Sequence, residues 1–473
     1  MKRTARLLAL SMLAALLLGA CASAPSRTAG GESSFYTANV DTIVVKTLSN
    51  GIPLIVKKNA ANRVYSLKVA YSGGVALAPE GKAGIEAMTL ALMARGSASY
   101  SYDDLQLMQY EKSSAIGSSA NGFDWASFDL MTIDKYWDGM FAAFADCVMN
   151  PSFAPDQFAQ VQNEFRVAAQ KNMSDPYSYA VSKLAKKAFA GHPYASDYSG
   201  DVESIAGMKL SDLQAYYRDA LQADRMVLVA VGDFDADELY KELDGTFGTI
   251  PRKGLSVPEL PALEIRAALT LEAFEKSKGI AYVRGNYPIA PVQSPDFTAL
   301  QLAYSMLNEL LFSIVRTEHG ACYSTWATAH GFMDSYGSLV VYKTDRPAEV
   351  KAWVDEAIAI LASGKTLNLR GGEGYAEISS TLEAYKAKFV NGFFGNQQTN
   401  AQMAAQLASS YIYYGDAVEY LRFIDKVHAV SAEDIVRVMN DYVVSAPVSW
   451  IVLSDSATLS KVREDDYLRF TAK

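Results

Sequence analysis

Residues 79–97 read Pro79-Glu80-Gly81-Lys82-Ala83-Gly84-Ile85-Glu86-Ala87-Met88-Thr89-Leu90-Ala91-Leu92-Met93-Ala94-Arg95-Gly96-Ser97. Proline and glycine punctuate the first six positions as a turn. The spacing then predicts a helix over Gly84 to Ala94, and its apolar side chains predict that it packs inside a domain. The helix holds no histidine, and its only carboxylate is Glu86. Alanine and leucine offer no atom that binds a metal or moves a proton, so positions 87, 90 and 91 carry no chemistry of their own.

Upstream of this helix, Thr42-Ile43-Val44-Val45-Lys46 and Ile52-Pro53-Leu54-Ile55-Val56 flank Asn50-Gly51, a strong hairpin signal. A further strand over Tyr65 to Tyr71 ends at Gly73-Gly74. Downstream, helices are predicted over Ser101 to Lys112, Trp137 to Val148, Pro155 to Lys171, Tyr177 to Ala188 and Ser211 to Ala220. The strand Met226 to Val231 closes this half at Gly232-Asp233.

The second half repeats the pattern. Asn121-Gly122-Phe123, strand Ser127 to Thr132, a charged turn at Asp134-Lys135 and a helix from Trp137 are matched by His330-Gly331-Phe332, strand Ser338 to Tyr342, Asp345-Arg346 and a helix from Ala348. Units matched in order predict two copies of one α+β domain, each a mixed or antiparallel sheet with helices packed on it. Pro251, Pro258 and Pro261 mark the linker. The expected division is 42–250, a linker at 251–266, and 267–473.

The chain has 473 residues, half of them hydrophobic and a fifth charged, as in ordinary globular proteins. Its N-terminus reads as an export leader over residues 1–20. Lys2, Arg3 and Arg6 precede the apolar run Leu7 to Leu18, which is shorter than the roughly 20 residues a bilayer span needs. Leu18-Gly19-Ala20-Cys21 resembles a bacterial lipoprotein box. The resemblance implies cleavage before Cys21, lipidation of its thiol, and a membrane anchor, with the outer membrane facing the periplasm as the expected location. Residues 21–41 read as a flexible tether. Without Lys2, Arg3 and Arg6 the net charge of −9 becomes −12, which argues against nucleic acid as a partner. Once Cys21 is acylated, Cys147 and Cys322 remain and are expected to be buried free thiols.

The opening stretch, from Pro79 through Ser97, resembles the start of the insulinase/pitrilysin peptidase family, which includes the mitochondrial processing peptidases. In that family the intervening helix carries the inverted zinc motif His-x-x-Glu-His, whose two histidines share a helix face while the glutamate acts as general base. Here the aligned positions are Ala87, Leu90 and Ala91, and the position of the third ligand falls at Ala168, eight residues before Pro176. The motif is absent. The four histidines, His192, His319, His330 and His428, include no two within one helical turn. His192, in Gly191-His192-Pro193-Tyr194, matches a structural turn of the family, and Glu164 reads as a solvated or ion-paired helix residue.

Other family features are kept. Leu311 to Arg316 and Gly320-Ala321-Cys322-Tyr323-Ser324 resemble the family's arginine–tyrosine segment, with Arg316 and Tyr323 seven apart. The resemblance implies that this pair positions substrate and supports the oxyanion of a tetrahedral intermediate. Asn121-Gly122-Phe123 lies where the family adds substrate peptide to a sheet edge. The resemblance implies a clam-shell fold and a non-catalytic subunit of a two-chain zinc peptidase. No cofactor is expected in this chain, zinc is expected in a partner subunit of the same family, and the substrate is expected to be a peptide. The other reading is a structural or peptide-binding envelope lipoprotein with no hydrolytic role.

Overall fold

The computed structural model describes residues 34–368 and 374–468. The leader, Cys21 and the tether as far as residue 33 lie outside the described residues.

Six strands form the first sheet: β1 (Ile43–Thr47), β2 (Pro53–Lys58), β3 (Val64–Ser72), β4 (Ala115–Ala120), β5 (Trp125–Ile133) and β6 (Met226–Gly232). Asn50-Gly51 makes the expected turn: Gly51 adopts φ +89°, which glycine reaches without a steric penalty, and Thr47 pairs with Pro53 across it. The order is β1-β2-β6-β3-β5-β4, with β2 parallel to β6 and the other neighbours antiparallel.

Strands β7 (Ala268–Ala273), β8 (Ala281–Pro288), β9 (Cys322–His330) and β10 (Tyr336–Thr344) belong to the second sheet. After the short hairpin β11 (Lys365–Leu367) and β12 (Tyr375–Glu377), β13 (Ser449–Ser454) completes it in the order β7-β13-β8-β10-β9. This order matches β2-β6-β3-β5-β4 position for position, and the parallel pair, β7 with β13, falls at the same place. Residues 251–267, which join the two sheets, carry no helix or strand. The molecule is an α+β fold that uses one plan twice.

In the first half the helices are α1 (Ser34–Asn39), α2 (Ile85–Met93), α3 (Tyr102–Glu111), α4 (Trp137–Met149) and α5 (Pro155–Ser174). They continue with α6 (Pro176–Ala188), α7 (Val202–Gly207), α8 (Leu210–Asp219) and α9 (Ala236–Thr246). The second half has α10 (Phe297–Leu311), α11 (Val350–Ala362), α12 (Ile378–Gly395), α13 (Asn400–Tyr414), α14 (Phe423–Ala429) and α15 (Ala432–Met439). With the π-helical turn that follows it, α10 is long and apolar enough to cross a bilayer, yet 67% of that window is buried, so it serves as a core helix.

Each sheet packs one face on helices of its own half. Leu54, Val69, Phe128 and Leu228 meet Leu90, Phe144 and Leu213 in the first core. Val283, Leu339 and Val452 meet Leu300, Leu307 and Ile358 in the second. The opposite faces are covered crosswise. Ala404, Leu407 and Ala408 of α13 lie on Ile55, Ala70 and Val229 of the first sheet. Ala180, Leu184 and Ala188 of α6 lie with Tyr282, Ile451 and Leu453 of the second. Helices α6 and α13 occupy equivalent places in the two repeats, so the halves are clasped by a reciprocal exchange of one helix.

The reading of residues 21–41 as a tether does not hold from residue 34 onward. Helix α1 buries Tyr36, stacks Phe35 edge-on against Phe393 and Phe394 (5.5 and 5.3 Å), and accepts a hydrogen bond from Arg422 at the Tyr36 hydroxyl (3.2 Å). Two aromatic residues, Phe35 and Tyr36, bury enough surface to hold a segment whose composition otherwise reads as linker.

Candidate functional site

Helix α2 is entered through Gly84, at φ +81°. A Cβ there would stand 2.6 Å from the Gly200 backbone, so the close approach admits only glycine. Ile85, Met88, Leu90 and Met93 then fill the first core, and Leu90 is fully buried. Ala87 borders a void of about 20 Å³ shared with Val75, Ala120, Trp125 and Tyr198, room for about one water. Ala91 packs against the core, while Ala168 on α5 is exposed and its neighbours Val161 and Ala169 are the ones that face inward. These four positions present methyl and isobutyl groups, and zinc takes nitrogen, sulfur or oxygen ligands. They do not fit the metal. Among the described residues no group of three histidine, cysteine or acidic side chains could hold one elsewhere.

Glu86, the one carboxylate of α2, is committed to structure. It accepts from the Tyr216 hydroxyl at 2.5 Å and from the Arg225 guanidinium at 2.8 Å, and the Arg225 side chain is fully enclosed. Glu164 lies on α5 and pairs with Arg95 at 2.6 Å on the surface.

Asn121, Gly122 and Phe123 follow β4, the edge strand of the first sheet. The Asn121 amide donates to the Ser119 carbonyl (3.2 Å) and the Ser127 hydroxyl (3.1 Å). Gly122, at φ +99°, lies so close to Phe332 that a Cβ would meet the ring at 2.7 Å. Phe123 is turned inward, stacked on Tyr194 at 4.3 Å and edge-on to Phe332 at 5.2 Å. Next to it, buried Asp124 accepts from the Tyr194 hydroxyl, from Tyr413 (3.1 Å) and from the Met333 backbone N–H (3.0 Å). Burial raises the Asp124 carboxyl above the usual range, against the lowering effect of these donors. His192, in its structural turn, lies 3.0 Å from Asp334. The segment is therefore a joint between the halves, and what stays open beside it is the outward edge of β4 at Ser118, Ser119 and Ala120.

Arg316 and Tyr323 sit at the edge of the second sheet. Helix α10 widens at its end into a π-helical turn, Phe312–Glu318, closed by the His319 N–H donating to the Ile314 carbonyl at 3.1 Å. Such turns re-aim side chains and concentrate at functional sites. Here the turn leaves Arg316 exposed, its guanidinium 4.9 Å from the Phe312 ring and 5.7 Å from that of Tyr323. Tyr323, on edge strand β9, is 65% exposed. Behind it runs an aromatic tract: Tyr323 to Tyr342 (6.3 Å), Tyr342 to Trp326 (5.7 Å), and Trp326 to Tyr177 (5.2 Å). The structure thus brings Arg316 and Tyr323 together in the open, while Phe123 is spent in an interior contact.

The cysteines are free, as expected, but differ in burial: Cys147 is buried and Cys322 half-buried. Desolvation pushes their thiols up to about 12 and about 11, so neither is poised as a nucleophile at neutral pH. His330 stacks on Tyr336 at 4.5 Å, and burial, helped by nearby Arg284, lowers its pKa to about 3. The sequence reading missed the role of Asp124, although its place directly after Asn-Gly-Phe was a usable signal. It also missed the clasp of α6 and α13, for which local sequence gives no signal.

Residues 207–365 match the family described as "Peptidase M16 inactive domain". A non-peptidase homolog, YmxG of Helicobacter pylori, is 21% identical over 201 residues, 42% of this chain and 46% of that one. An uncharacterized zinc protease of Mycobacterium leprae is 22% identical over 339 residues, 68% of this chain and 72% of its own length. The chain thus aligns with about half of the first relative and most of the second. A solved structure of a peptidase M16 inactive domain from Pseudomonas fluorescens superposes with a TM-score of 0.77 at 18% identity, over 88% of this chain and 98% of that one. Over residues 207–365 and in its fold the chain is thus similar to the M16 peptidase family, the insulinase/pitrilysin type, and Ala87, Leu90 and Ala91 stand where that resemblance would place the inverted zinc motif.

Proposed function

We propose that the chain is the non-catalytic subunit of a two-chain M16 zinc peptidase. In this reading it offers Arg316, Tyr323 and a wall for peptide substrate to a zinc-bearing partner of the same family. The observation that carries it is the exposure of Arg316 and Tyr323 on a chain whose own motif positions hold no donor atoms. A guanidinium and a phenol donate to an oxyanion developing on a peptide carbonyl, and both are free to face a second chain. The hydrolytic chemistry would be the partner's; this chain binds and orients. The aromatic tract behind Tyr323 suits bulky substrate side chains, and the open edge of β4 suits backbone pairing. Residues 1–20 and Cys21 complete the proposal as a lipoprotein leader and a lipid anchor holding the subunit at the outer membrane, facing the periplasm.

The test is co-purification from native membranes followed by peptidase assay of the complex. A His-x-x-Glu-His-bearing relative should come along, and Arg316→Ala should cut turnover about 10²–10³-fold, the loss seen on removing an oxyanion donor. Unchanged turnover sinks the assignment. The second reading, an envelope protein that binds peptide without hydrolysis, is favoured by the exposed edge of β4, and it predicts peptide binding with no activity in any combination.

A further inference from the structure

Beside Arg316 and Tyr323 stands a residue that neither the motif nor the family match singles out. Lys343 lies in β10 where the strand bulges: Tyr342 pairs with Tyr282 of β8, and the next paired residue, Thr344, with Ala281. Toward β9 the register is unbroken, Tyr342 opposite Ser324 and Thr344 opposite Cys322, which sets Lys343 across from Tyr323. Its backbone holds φ +61°, a left-handed conformation that a lysine adopts at a cost and that persists only where the surroundings enforce it. The exposed ammonium stands 5.7 Å from the Tyr323 ring and 5.2 Å from that of Tyr342. Arg316 stands on Tyr323 at the same 5.7 Å. Two cations from different elements, a π-helical turn and a β-bulge, therefore converge on one exposed phenol. Among the described residues neither is within ion-pair reach of a carboxylate, in a chain whose net charge is −9 and whose Lys82, Arg225, Lys351 and Arg437 are all paired.

We infer that Arg316, Tyr323 and Lys343 form a binding site for a peptide carboxylate, with Lys343 as a specificity-determining residue. The inference rests on the reading of Arg316 and Tyr323 as substrate-facing. Two cations and a phenol O–H supply donors to both carboxylate oxygens, and the aromatic tract takes the apolar side chain beside it. The carboxylate comes either from an acidic side chain or from the peptide's C-terminus.

The experiment is fluorescence anisotropy of the purified chain, without partner, against N-terminally labelled ten-residue peptides. These differ only in a central Glu or Gln and in a free or amidated C-terminus. The expected result is about a five-fold preference for a carboxylate-bearing peptide over its neutral twin, weakening with added salt. A preference for Glu identifies the side chain as source, and a preference for the free acid identifies the C-terminus. Lys343→Met and Lys343→Gly should both abolish the preference, Lys343→Gly doing so while easing the backbone, and Lys343→Arg should keep it. No preference, no binding at millimolar peptide, or a preference that survives Lys343→Met and Lys343→Gly overturns the proposal. Because this readout needs no partner, a chain that activates a zinc subunit yet shows no preference fails this inference alone. A chain with the preference that activates nothing fails the subunit reading alone.

Discussion

The two halves place a helix at the same point of their common plan, after β3 in the first and after its counterpart β8 in the second, and use it in opposite ways. In the first half α2 stops at Met93, is buried almost throughout, and gives its single carboxylate to an internal ion pair with Arg225. In the second half α10 runs on into the π-helical turn and delivers Arg316 to the surface beside Tyr323. One plan thus yields a helix that is all scaffold and a helix that is scaffold for most of its length and a presenting arm at its end. The fold fixes where such a helix lies, and the polar groups at its surface end determine what it can do.

The sharpest way to break this comparison is to rebuild the motif in the first half. Ala87→His, Leu90→Glu and Ala91→His together should fail to give stoichiometric zinc by elemental analysis, since Ala168 faces solvent and offers no third ligand. They should also cost roughly 3–5 kcal/mol or more in urea unfolding, because Leu90 is fully enclosed and a glutamate there is an uncompensated buried charge. One zinc per chain with native stability would overturn the account of α2 as pure scaffold.

Close behind comes Glu86→Ala, which strands Arg225. A loss of about 3–5 kcal/mol is expected, read from the urea midpoint. Arg316→Ala is the matching change in the second half and should stay within about 0.5 kcal/mol of the parent, as exposed substitutions do. Equal losses at the two sites would erase the distinction between the helices.

A pH series sharpens it further. The folded pKa of His330 is depressed to about 3, against about 6.5 in the unfolded chain. Its contribution to stability is therefore present above pH 6.5 and is lost as pH falls from there toward 3, because the unfolded state binds the proton first. The loss is up to about 1.4 kcal/mol per pH unit within that window. His330→Asn should flatten this acid limb in thermal unfolding followed from pH 7 to pH 4. A smaller loss than that of Glu86→Ala is expected for Tyr413→Phe, which removes one donor to Asp124 across the joint; about 1–2 kcal/mol in thermal or urea unfolding tests it.

The strands β1 and β2, their turn at Gly51, the helix from Ile85, the strand from Met226 and the match between the halves were legible because each is set by neighbours in sequence: a period, a turn dipeptide, a cap. The helix α1 was not, since Phe35 and Tyr36 are held by Phe393, Phe394 and Arg422, more than 350 residues away. Phe123 was read as facing a peptide because its place after an edge strand was right, while its direction was decided by Tyr194 and Phe332. Arg316 and Tyr323 stand out in the sequence through the resemblance of their segments to the family's arginine–tyrosine segment, but their company with Lys343 depends on strand register and a bulge, which no such resemblance reveals.

The sequence by itself determined that the first half carries no zinc motif, because ligation depends on which atoms a side chain possesses, and alanine and leucine possess none that qualify. Only the tertiary structure decided what became of the rest: that α2 is core, that α6 and α13 clasp each other's sheets, and that Arg316, Tyr323 and Lys343 meet in the open. Those outcomes come from apolar faces too large to leave in water and from the pairing of strands far apart in the chain, and both are settled only when the whole molecule packs.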